Sequence, residues 1–283
     1  MLLTSYERMR RYLADEGSNI LSSTWQNKRD LTIWMQSVSA KIEKYLNREL
    51  YIESRTEYFD IVYANMQFWV NAPPITTLTT VKIDSSGQFD GSSESTLTSG
   101  SDYYTSNNDD AVVLTNPESF SGFKAVQIVY TGGLAYHATR STFAVTSTGG
   151  TWMAGMYCVG ATSLAVGLVI SATATVLVIE VLYGVFEVDE TLTEYTDEEQ
   201  TAATGKTATL DSKTYTALCE AYPTIVTACE MEIRYIKKYK DGYENTGVTK
   251  DGNTIRRDSR ESRRLRLQPE VIDMLDPYRR ISL

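Results

Sequence analysis

The spacing of apolar residues changes period twice along this chain of 283 residues, and that change limits the folds open to it. At the amino-terminal end the spacing is helical. Thr4 and Glu7 form a T-x-x-E capping pattern ahead of Tyr6, Met9, Tyr12 and Leu13, with Gly17 as a stop, which predicts a short first helix. Asp30 stands where it can cap a second helix, whose Leu31, Trp34, Met35, Val38, Ile42, Tyr45 and Leu46 recur at steps of three and four. From about Arg55 the period falls to two, predicting strands near 56–62, 67–70, 79–83, 111–114 and 125–131. Pro73 and Pro74 end one strand, 85–101 reads as a long loop, "NNDD" (107–110) as a hairpin turn, and Gly132 and Gly133 close the unit. Helical spacing returns at Pro223 with the stripe Ile225, Val226, Cys229, Ile233 and Ile236. Lys237, Lys238 and Lys240 suit the dipole at its carboxyl end, and Gly242 is its stop. A last short helix starts at Pro269, carries Val271, Ile272 and Leu275, and ends at Pro277.

The segment between the second and third of these regions matches itself. Shifted by 34 residues, "GTWMAGMYCVGATS" (150–163) lies over "GVFEVDETLTEYTD" (184–197), and "SATATV" (171–176) over "GKTATL" (205–210). Trp152 then pairs with Phe186 and Gly155 with Asp189, as in two copies of one β motif. The expected fold class is therefore α+β: a small helical bundle from the N- and C-terminal segments (1–52 and 214–283, the latter with a C-terminal arm), an antiparallel β unit (53–135), and an inserted β domain with the internal repeat (136–213). The length suits more than one compact unit.

Charge is unevenly spread. The chain carries −9 overall, yet from Ile233 onward 13 Lys and Arg stand against 8 Asp and Glu, so a basic arm hangs from an acidic body. That balance disfavours nonspecific coating of DNA. Cys158, Cys219 and Cys229 lack metal or redox spacing, and Glu7, Arg8, Arg10 and Arg11 break any apolar leader, so synthesis in a reducing cytoplasm is expected, with the cysteines as small core residues.

Each motif with a chemical meaning also has a plainer one. The 27 uncharged residues 153–179 are long enough for a membrane span, but their Thr, Ser and Gly content, β alternation and acidic second copy favour strands. "GKT" (205–207) lacks the first glycine of a phosphate loop, since Gln200 stands there. The acids Glu187, Asp189, Glu190, Glu194, Asp197, Glu198 and Glu199 lack the glycine and ligand steps of known Ca²⁺ loops and read as a solvated edge. His137 is the one histidine and sits in a linker. No catalytic residues, cofactor or metal site are expected, and the chain reads as no enzyme. The arm "IRRDSRESRRLR" (255–266) suits either nucleic-acid contact or guanidinium pairing with acids on another subunit; the absence of interleaved aromatics favours pairing.

Both ends of the chain resemble a known family. "LTSYERMRRYLA", "SVSAKIEKYLNREL", "FWVNAPPITTLTTVKI", "DYYTSNNDDAVVL" and "VQIVYTGGL" at the front, with "PTIVTACEMEIRYIKKYKDG" and "LQPEVIDMLDPYRRISL" at the back, are similar to the head-tail connector (adaptor) proteins of tailed bacteriophages. About two thirds of the chain takes part, and 132–212 departs from the pattern. The resemblance implies a structural virion protein of the neck, made in the host bacterial cytoplasm. It implies a homo-oligomeric ring, most often a dodecamer, that joins the portal protein to the tail, stopper or tail-terminator protein. Viral DNA would pass through the lumen without sequence-specific binding, and no membrane is involved. Portal contact would fall on the C-terminal arm, at Arg263, Arg264, Leu267, Leu275, Tyr278, Arg279 and Arg280, with Val271 and Ile272 also buried on docking. The alternative is another tail or baseplate component whose β insert binds a glycan or a fibre, which a groove lined by Trp152, Tyr157 and Phe186 would favour. A wall-degrading hydrolase would need converging carboxylates that no spacing here selects.

Overall fold

A computed structural model describes residues 2–14, 25–61, 67–91, 93–115, 122–148, 150–197, 199–245 and 267–279. The chain is α+β and rich in antiparallel strands, and it divides into two compact units, Asn47–Tyr136 and Met1–Leu46 with His137–Ile281. Helical segments from both ends thus share a unit with the strands that follow His137.

The unit Asn47–Tyr136 holds two sheets. β1 (Glu53–Ile61), β7 (Gly122–Gly132), β3 (Ile75–Ile83) and β4 (Ser95–Thr96) form one in that order; β2 (Gln67–Trp69), β6 (Ala111–Leu114) and β5 (Tyr103–Thr105) form the other. Alternation explains them, since every second residue of β7 from Val126 to Tyr130 is buried with Phe68, Val70, Val81 and Val112. β3 starts earlier than its sequence pattern suggests, directly after Pro74, and the long loop contains β4. The Tyr130 hydroxyl donates to Glu57 (2.6 Å) and accepts from the Ala72 N–H (3.1 Å), while Asn71 also bonds Glu57, which fixes the corner before Pro73. At Gly133 (φ +133°) a Cβ would lie 2.3 Å from the Tyr51 carbonyl oxygen, so this close approach requires glycine.

In the other unit β8 (Arg140–Thr148), β9 (Tyr157–Gly160), β10 (Val166–Ala172), β11 (Val176–Tyr183), β12 (Thr191–Tyr195) and β13 (Ala203–Tyr215) close into a barrel in the order β10-β11-β8-β13-β12-β9. The uncharged run 153–179 spends itself on β9, β10 and part of β11. Among the described residues no helix is long and apolar enough to cross a membrane.

The 34-residue offset has a spatial counterpart. Gly155 (φ +87°) and Asp189 (φ +66°) turn the chain at matching points before β9 and β12. Gly155 N–H donates to Val169 O as Asp189 N–H does to Leu210 O, at 2.8 and 2.7 Å. Val159 and Thr193, equivalent under the offset, face each other in the β9–β12 ladder, so a local twofold axis passes between them. The match of "SATATV" to "GKTATL" does not hold: the first turns from β10 into β11, and the second lies within β13. The β12–β13 hairpin is longer, so the offset there is no longer 34: Val169 corresponds to Leu210.

The helices are α1 (Tyr6–Ala14), α2 (Trp25–Leu46), α3 (Leu218–Ala221), α4 (Pro223–Asn245) and α5 (Pro269–Leu275). α2 and α5 pack on α4, and α1 touches α2, α4 and β11. Three local expectations shift. Ser5, not Thr4, caps α1, its hydroxyl accepting the Arg8 N–H at 3.3 Å, while Thr4 donates to Glu230. α2 begins before Asp30. α4 runs through Gly242, which a helix tolerates at about 1 kcal/mol, and buried Lys237 is not at its end.

Candidate functional site

The C-terminal arm is the site that the sequence singles out, and its described portion is a helix seated on its own chain. Gln268 is extended, Pro269 opens α5, and Val271 and Leu275, one turn apart, face the interior at 1% and 0% exposure. A seven-residue helix is marginal alone in water, so this packing is what keeps it helical. Burial of each aliphatic side chain stabilises by about 1.5–3 kcal/mol.

Polar contacts fix the register. The Gln268 N–H donates to Glu232 Oε2 on α4 at 3.1 Å. Glu232 is 2% exposed, and loss of solvent pushes its carboxyl above the ordinary value, against the opposing effects of that hydrogen bond and Lys41. At the other end, the turn Asp276–Tyr278 brings the Asp276 carboxylate to the Tyr45 hydroxyl of α2, which donates to it. The Arg279 guanidinium lies 5.0 Å from the centre of the Tyr45 ring, and Tyr278 meets Tyr222 edge to face at 6.1 Å.

This placement redistributes the expected contact residues. Leu267 and Leu275 are buried in the protomer at 8% and 0%, as is Val271, so their apolar surface is already used within the chain rather than kept for a partner. Tyr278 is half-buried and Arg279 exposed. Arg263, Arg264 and Arg280 lie outside the described residues. Sequence reasoning missed Tyr45, Tyr222 and Glu232 as the seat. An acid three residues from Cys229 on an apolar stripe was the available signal for Glu232.

The remaining candidates resolve into framework. Glu190 and Glu194, expected on a solvated edge, are 4% and 0% exposed; Glu194 faces inward with Leu192 on β12 and meets Lys206 Nζ at 3.2 Å and the Met153 N–H at 2.7 Å. Lys206 of "GKT" also donates to Thr151 O, mid-strand. Asp197 takes the Thr201 and Ala202 N–H groups, and Glu198 lies outside the described residues. His137 is exposed and its carbonyl accepts the Leu218 N–H. Trp152 and Phe186 are buried at 3% and 1%, Phe186 against Phe143, so those two rings line no groove. All three cysteines are free and buried, and burial raises each thiol above its ordinary range. Among the described residues no three His, Cys, Asp or Glu side chains are grouped to hold a metal ion. Neither a family model nor a curated protein sequence matches the chain.

Proposed function

We propose that this chain is a structural subunit of the neck of a tailed bacteriophage, a head-tail connector (adaptor) that assembles into a ring between portal and tail. One observation carries the reading: helices from the two ends of the chain pack on one another, while both β units enter between α2 and α3. Leu3 N–H bonds Ser39 of α2, Thr4 and Arg8 bond Glu230 of α4, and Gln268 bonds Glu232. The sequence segments that resemble the connector family supply these helices. In this reading they form the bundle at the ring's core, and the barrel is a decoration of it.

The exposed Arg279, with Arg280, would meet the portal, while Leu267 and Leu275 anchor the segment that presents them. A chain that is acidic overall, at −9, lets DNA slide through a lumen, since like charge avoids the counterion release that drives binding. The alternative, a tail or baseplate component with a glycan- or fibre-binding insert, loses its expected groove, since Trp152 and Phe186 are interior.

Co-sedimentation with portal-bearing heads of the same phage tests the reading. The chain should pellet with heads, and Arg279→Glu with Arg280→Glu should cut the bound fraction at least about tenfold while lowering stability by only about 0.5–1 kcal/mol, the worth of the exposed Arg279–Tyr45 contact. Equal pelleting with heads that lack portal would contradict it.

A further inference from the structure

At one end of the barrel two loops are stitched into a single surface. The carboxylate of Glu190 accepts the N–H groups of Thr162 (3.3 Å), Ser163 (3.1 Å) and Glu187 (2.7 Å) and the Ser163 hydroxyl (2.9 Å), so 161–165 and 184–190 are held side by side. Gly184 lies so close that a Cβ there would sit 2.8 Å from the Ala165 Cα. On this fixed frame Leu164, Val185 and Val188 point outward at 67%, 44% and 49% exposure, with the exposed acids Glu187 and Asp189 among them. Grouped, rigidly held apolar side chains rimmed by charge mark a contact surface rather than ordinary loop exposure.

We infer that this barrel end is the docking surface for segment 250–266 of a neighbouring copy of the chain. The inference rests on the ring reading and names the contact between neighbours. The chemistry is complementary: the segment carries Lys250 and six arginines against Asp251, Asp258 and Glu261, and its Ile255 and Leu265 can cover aliphatic side chains. Two different patches, one on each partner, make a heterologous contact of the kind that closes rings.

The test uses a fluorescein-labelled peptide of residues 250–266, titrated with the intact chain in about 50 mM salt. Saturable binding is expected, weakened about tenfold by Glu187→Lys with Asp189→Lys and, separately, by Leu164→Ser, and weakened for the unmodified chain by added salt. A peptide carrying Arg263→Glu and Arg264→Glu should prefer the charge-reversed protein. In the full chain, the reversal at Glu187 and Asp189 should abolish rings, and Arg263→Glu with Arg264→Glu in the same chain should restore them. Circular-dichroism melts check that the variants fold, which is expected because all the altered barrel side chains are exposed. Peptide binding that is absent, or indifferent to the charge reversal, overturns the inference even where rings form. An unmodified chain that binds the peptide as expected yet forms no rings counts against the ring reading alone.

Discussion

Glu230 and Glu232 stand two residues apart on α4, about 200° around the helix, and each holds a different neighbour. Glu230 receives Thr4 and Arg8 of the amino-terminal segment; Glu232 receives the backbone just ahead of α5. Their burial is costly, and the costs differ. Glu230 has Arg8 at 2.8 Å as a charged partner, whereas Glu232 accepts from a neutral amide and, despite Lys41, has its carboxyl pushed above 4.5 by burial. A carboxyl raised on folding binds protons more tightly in the folded state, so its penalty is full at high pH and is relieved as pH falls through the raised value towards 4.5. Glu232→Gln keeps an oxygen to accept the Gln268 N–H and removes the charge. Thermal unfolding should therefore show the variant more stable than the parent at pH 8, with the difference shrinking towards pH 4; a variant less stable at pH 8 would contradict this assignment. The position of Glu232 on the apolar stripe was legible, but neither partner was, because an acid on a helix reads as a solvent-facing residue until the element packed on that face is known.

At the scale of elements, local patterns were legible and their partners were not. β6 occupies the residues that alternation marks, and Pro269 opens α5 where proline is tolerated. The turn before β9 and the turn before β12 were also readable, as Gly155 over Asp189, because both sit in the left-handed region that glycine enters freely and aspartate tolerates. That equivalence makes a prediction. Nothing lies within 4 Å of a Cβ added at Gly155, so only backbone strain acts there. Gly155→Asp should cost about 1 kcal/mol and Gly155→Val clearly more, measured by denaturant unfolding; equal costs would dissociate the two turns. The second half of the repeat was misaligned because a period read from sequence assumes hairpins of equal length, and the β12–β13 hairpin is longer. Barrel closure was out of reach for a related reason: β8 pairs with β13 across some sixty residues, and alternation carries no information on which strand becomes the neighbour.

For the whole molecule, side chains far apart in sequence help join the helices to the barrel within their unit. Arg8 Nη1 donates to Val181 O on β11, and Arg11 lies 5.7 Å from the rings of both Tyr157 and Tyr183. Glu220 of α3 takes the Phe186 N–H, the Ser141 hydroxyl and Lys213 at once. Removing the barrel would leave Arg8, Arg11 and Glu220 without these partners, so the strands after His137 brace the helices. Within the proposed ring, the helices from the two chain ends supply the core. Light scattering of the purified chain, with electron-microscope class averages of the same sample, addresses that proposal directly. Closed rings of about a dozen subunits are expected, formed alone or on portal particles. A chain that stays monomeric at high concentration and in the presence of portal would contradict it.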